Sequence, residues 1–123
     1  MLGLTMVMAG GAIGAGARYG LGRALLAILP GGWPWGTLAA NLVGGFLMGV
    51  LSACIGRAWA GESQRLLLGV GILGGFTTFS SFSLEAAGYL SAGQTGLALG
   101  YVAASVVGAI VALYAGAALV HAL

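Results

Sequence analysis

Almost no part of this chain carries the charge that would hold it in water. Four runs, residues 3–29, 34–55, 66–90 and 96–120, contain between them only Arg18, Arg23 and Glu85 as charged residues. Each run matches the roughly 20 apolar residues that a helix needs to cross a hydrocarbon layer. Charged residues make up 5% of the chain, against about 25% in a soluble domain. Four arginines and two acids cannot clothe a globule of 123 residues. The sequence therefore predicts an all-α membrane protein with four transmembrane helices, forming one domain over residues 1–123. Residues 1–27 are read as mature helix, because the first positive charge, Arg18, is misplaced for a signal peptide.

The connections are short. Pro30-Gly31-Gly32 ends the first run, and Trp33-Pro34-Trp35 marks an interface where indole rings sit at headgroup depth. Residues 57–65 form the one hydrophilic stretch, and residues 91–95 the last turn. Arg18 and Arg23 lie toward one face of the membrane, Arg57 and Arg65 toward the other. Orientation normally follows a Lys/Arg bias. Two against two gives none, so the chain is expected to insert both ways and pair as an antiparallel dual-topology homodimer. Glycines four apart (Gly10/Gly14, Gly16/Gly20, Gly45/Gly49, Gly71/Gly75, Gly96/Gly100) allow close helix packing in lipid, within and between chains. The chain has no lysine and so no basic patch for nucleic acid. Cys54 has no partner for a disulfide and reads as a small packed residue.

Polar residues inside apolar runs point to function, because they are costly in lipid unless paired or lining a pathway. In the second run Thr37 and Asn41 share a helix face. The third run is stranger. Gly69, Gly71, Gly74 and Gly75 lead into Thr77, Thr78, Ser80, Ser81 and Ser83. Glycine costs about 1 kcal/mol against alanine in a helix interior. A break is expected over residues 74–78, near the middle of the third helix, and broken helices at membrane depth occur only where buried or lining a cavity. Freed carbonyls suit a cation, and a half-helix N-terminus suits an anion. Phe79 and Phe82 fall three apart, and their ring edges carry partial positive charge. Ring edges, an Asn amide and hydroxyls form a donor-rich, formally uncharged lining that suits a small, hard anion.

Residues 10–19 (GGAIGAGARY), 36–44 (GTLAANLVG) and 74–82 (GGFTTFSSF) resemble, in order and spacing, the Fluc/CrcB fluoride channels. That resemblance covers essentially the whole chain. It implies a fluoride-specific channel in the bacterial inner membrane that passively exports fluoride and lowers its toxicity. It further implies a homodimer with two antiparallel pores and a structural Na⁺ on the two-fold axis, held by backbone carbonyls of Gly74 and Thr77. The implied fluoride pathway runs past Asn41, Phe79 and Phe82, with Ser80 and Ser81 beside them. Thr37, Glu85, Tyr101 and Ser105 fall at family polar positions, and Arg18 lies near an aqueous vestibule. Ala109 replaces a hydroxyl often found one turn beyond Ser105.

Three other functions fit less well. A four-helix dual-topology multidrug exporter needs a membrane-embedded acid, usually in its first span, and that span has none. An enzyme needs a nucleophile–base pair or a metal cluster, and the single histidine, His121, sits near the C-terminus. A non-conducting assembly protein gives no reason for a broken, hydroxyl-rich helix.

Overall fold

A computed structural model describes residues 1–123. It is all-helical. Helix α1 spans Leu2–Ile28 and α2 spans Trp35–Gly56. The third helical stretch, Glu62–Ser91, is composite. It comprises α3 (Glu62–Gln64), a π-helical segment (Arg65–Leu73), α4 (Gly74–Phe76) and α5 (Ser80–Ser91). Helix α6 spans Thr95–His121.

Three stretches, Trp35–Gly56, Glu62–Ser91 and Thr95–His121, are long and apolar enough to cross a membrane. Helix α1 equals α6 in length at 27 residues, but Arg18, Arg23 and its many glycines dilute its apolar character. The third stretch starts at Glu62 rather than at residue 66. Gln64 Oε1 accepts the Gly61 amide at 3.0 Å, and Arg65 pairs with Glu62 at 2.7 Å, so the hydrophilic residues open the helix instead of forming loop.

Glycines set how the stretches pack. A Cβ on Gly10 would lie 2.5 Å from the Leu67 carbonyl oxygen, and one on Gly75 would lie 2.5 Å from that of Gly11. These pairings advance together along both helices, so α1 runs parallel to the third stretch. Likewise Gly45 abuts Ala109, and Gly49 abuts Leu113, so α2 runs parallel to α6. Helices α1 and α2 meet where a Cβ on Gly36 would lie 2.7 Å from Gly22 Cα. The four stretches thus alternate up and down. Gly16, Gly20, Gly96 and Gly100 contact nothing within the chain at their missing Cβ.

Helix ends are closed by backbone. Gly93, at φ 74°, lets its own amide reach Leu90 O and the Gln94 amide reach Tyr89 O. Ala58 makes the same turn after α2 at φ 59°, where a side chain is disfavoured.

Only 18 of 123 residues are buried, so most side chains face outward, and on α6 these include Val107, Ile110, Val111 and Tyr114. Such a surface is suited to lipid or to another apolar partner. The largest buried cluster joins Leu38, Phe82, Ala86 and Tyr101, with Trp33 and Tyr89 against it. That cluster lies directly beside the interruption in the third stretch.

Candidate site at the helix break

The break falls at residues 77–79, later than the glycines predict. Gly74, Gly75 and Phe76 remain helical, with Gly75 and Phe76 packed along α1 against Gly11 and Gly14. Thr77 turns extended, at φ −81° and ψ 159°. Asn41 supplies the reason. The Thr78 amide donates to Asn41 Oδ1 at 2.8 Å, and Asn41 Nδ2 donates to the Thr78 carbonyl at 3.0 Å. One side chain on α2 thereby replaces both backbone hydrogen bonds that Thr78 would make in a helix. The donor on Thr78 also fixes which end of the amide is oxygen. Asn41 was expected to offer its amide to an anion, but one N–H is committed to the break, leaving the other.

Thr78, which the sequence reading left out of the site, organises the restart. Its Oγ1 accepts the Ser81 amide at 3.2 Å, one of the donors that the start of α5 leaves without an intrahelical partner. It also lies 3.4 Å from Ser80 Oγ. The Thr77 amide and Oγ1 both donate to Leu73 O, at 2.9 and 3.0 Å.

The end of α4 leaves its carbonyls exposed to the break. Gly75 O accepts Arg18 Nε from α1 at 3.2 Å. Gly74 O and Thr77 O accept no hydrogen bond. Unpaired carbonyls at membrane depth are costly, and oxygen donors of this kind match a hard cation such as Na⁺. Gly74 and Thr77, the expected cation ligands, are therefore the right chemical type, and both line the same groove.

That groove, of about 530 Å³, lies between α2, the break and α6. It gathers Asn41, Gly74, Thr77, Phe79, Phe82 and Ser105, all expected in the site, and adds Thr78. Apolar residues such as Met48, Val106 and Ile110 complete it, with Ala109 at the position where a further hydroxyl was sought. Ser105 lines the groove; its Oγ is buried beside the Tyr101 hydroxyl and makes no hydrogen bond of regular geometry, so its polar group is only weakly committed. Phe79 and Phe82 stand 5.5 Å apart by ring centroid, tilted by 53°. They differ in setting: Phe79 is 76% exposed and Phe82 only 6%, packed 5.3 Å from Tyr101. The two rings are therefore not equivalent.

Arg18, Thr37 and Glu85 do not line this groove. They line a second pocket of about 300 Å³ with Arg23, Trp33 and Pro34. There Glu85 accepts Thr37 Oγ1 at 2.8 Å and Tyr101 Oη at 2.5 Å. Tyr101 thus touches both regions, through Phe82 on one side and Glu85 on the other. Ser80 and Ser81 line neither the groove nor this pocket. Arg23 enters the sequence analysis only as an orientation charge, and its five-residue spacing from Arg18 does not mark that both line this pocket.

Comparison with known proteins agrees with this architecture. Residues 5–117 match the family described as CrcB-like protein, Camphor Resistance (CrcB). A protein of Phenylobacterium zucineum named fluoride-specific ion channel FluC is 54% identical over 118 residues, covering 94% of this chain and 93% of that one. Proteins of the same name from Sphingopyxis alaskensis and Caulobacter vibrioides are 51% and 50% identical, over 98% and 92% of this chain and 97% and 91% of theirs. With helices of membrane-crossing length and composition and matches along nearly its whole length, the chain is a multi-pass membrane protein and belongs to the CrcB family.

Proposed function

We propose that this protein is a fluoride-specific channel of the bacterial plasma membrane, passively releasing fluoride from the cell. The observation that carries the reading is the groove lining, where Asn41, Phe79, Phe82 and Ser105 meet and no charged side chain enters. Fluoride holds its water tightly, so a pathway must replace that shell with donors. Several weak donors without formal charge let the ion enter and still leave. The identity to relatives named for fluoride supports the choice of ion.

All four helical stretches cross the bilayer in this reading, α1 included. The second pocket, with Arg18 and Arg23, forms a vestibule that attracts anions. The pathway continues past Thr37, Glu85 and Tyr101 toward Phe82, Phe79, Asn41 and Ser105, with Ser80 and Ser81 beside it. The hydrogen bonds from Thr37 and Tyr101 hold the Glu85 carboxylate aside and offset its repulsion.

The working unit is an antiparallel homodimer of dual topology. The groove is open on one side, and polar carbonyls at Gly74 and Thr77 cannot face lipid without a partner. A second copy, related by a two-fold axis, covers the first groove with its own. A structural Na⁺ would then sit on the axis, held by the Gly74 and Thr77 carbonyls of both copies. Its charge favours anions in the interior.

The test is growth in fluoride. Expression in a bacterium lacking its own fluoride export restores growth in millimolar fluoride medium. Failure to grow, with the protein present in the membrane, contradicts the proposal.

A further inference from the structure

We infer that Arg18 is a positioning residue for the break: its hydrogen bond to Gly75 O fixes the backbone carbonyls at the end of α4. This rests on the channel reading for its consequence but not for its geometry.

Gly75 sits under two opposed demands. Its contact with α1 excludes a side chain, since a Cβ there would lie 2.5 Å from Gly11 O and 3.0 Å from Gly11 Cα. Glycine is also the residue whose backbone is least restrained. The two peptide planes that meet at Gly75 carry the Gly74 and Gly75 carbonyls, and nothing in the residue itself sets their tilt. The helix that would set it ends at Phe76. The Thr78 amide, which would bond Gly74 O in a continuing helix, is held by Asn41 instead.

Arg18 supplies the missing restraint. It lies on α1, the same helix against which Gly75 packs, and Nε reaches Gly75 O at 3.2 Å. Peptide units are planar, so holding one carbonyl orients its whole plane. Occupying Gly75 O also removes that oxygen from the set, leaving Gly74 O and Thr77 O facing the groove without donors. A guanidinium beside the carbonyl end of a helix is further favoured by the helix dipole. Asn41 holds the far side of the break from α2, and Arg18 holds the near side from α1. The break is clamped between two helices rather than left loose.

The test uses Arg18→Met and Arg18→Gln in the purified full-length protein, read by hydrogen–deuterium exchange of the amides at residues 77–81. Methionine keeps the reach of the side chain without a donor, whereas glutamine places Nε2, a neutral donor, where arginine has Nε. A charge-assisted hydrogen bond of this kind is worth roughly a tenfold change in opening. Arg18→Met is expected to raise exchange at these amides about tenfold, and Arg18→Gln no more than about threefold. Exchange in α6 should stay unchanged in both. The Na⁺ concentration that half-protects these amides should rise in Arg18→Met and return toward that of the parent in Arg18→Gln. Unchanged exchange at residues 77–81 in Arg18→Met overturns the inference. So does equal loss of protection in both variants, or an equal rise in α6, which would mark general unfolding. If Arg18→Met does not fold, the glutamine variant alone decides, since a roughly tenfold loss of protection with a donor still in place also overturns the inference. Fluoride flux of the unaltered protein is measured alongside. Its absence would count against the channel reading while the exchange result still judges Arg18.

Discussion

Asn41 has one amide and uses it on both backbone groups of Thr78. Replacing it with alanine leaves a part-buried N–H and C=O unpaired, each costing about 1 kcal/mol. Asn41→Ala is therefore expected to lower the thermal unfolding midpoint in detergent and to abolish fluoride flux. A variant with an unchanged midpoint would remove Asn41 from its role in the break. The phenylalanines should separate in the same assay. Phe82 is buried against Tyr101, so Phe82→Ile costs about 1 kcal/mol of stability through lost packing. Phe79 is largely exposed in the chain, so Phe79→Ile leaves chain stability unchanged. Both substitutions remove a ring edge from the groove and should stop conduction, measured as fluoride flux after purification. Normal flux from either variant would take that ring out of the pathway.

At the scale of elements, the third stretch is the most informative and was only partly legible. Its hydroxyl-rich sequence located an interruption, but the glycines misled the boundary. Gly71 and Gly75 are there for close approach to α1, where neighbouring backbone fills the space a side chain would take, and they stay helical. What ends the helix is Asn41, 37 residues away in sequence from Thr78, and no local pattern reveals such a partner. The π-helical segment Arg65–Leu73 was equally hidden. In a chain apolar on every face, hydrophobic periodicity, which normally distinguishes helix types, carries little information. The positions of Arg18, Thr37 and Glu85 show the same limit: their polarity was visible, but their separation into a second pocket depends on how α1, α2 and α5 meet. The glycine contacts make a sharp contrast. Gly45→Leu, against Ala109 on α6, should destabilise the fold by about 3 kcal/mol or more through overpacking. Gly88→Ala in α5, where a Cβ meets nothing, should be neutral or stabilise by up to about 1 kcal/mol. Thermal unfolding of the two variants in one detergent checks both, and equal effects would contradict the packing assignment.

For the whole molecule, the arginines and the open groove point to a partner of opposite orientation. Adding two or three lysines to the 29–34 loop should force one orientation, measured by labelling of loop cysteines from each side of the membrane. Such a variant alone should lose activity and regain it with a partner carrying the lysines in the 57–61 loop. Full activity in the single-orientation variant would contradict the antiparallel pairing. The central claim is selective passage of fluoride through a groove of uncharged donors, and one measurement addresses it directly. Purified protein in liposomes loaded with fluoride or chloride is followed by ion-selective electrodes after the membrane potential is released. Rapid fluoride efflux with chloride retained is the predicted result. Equal efflux of both ions, or none of either, would contradict the account.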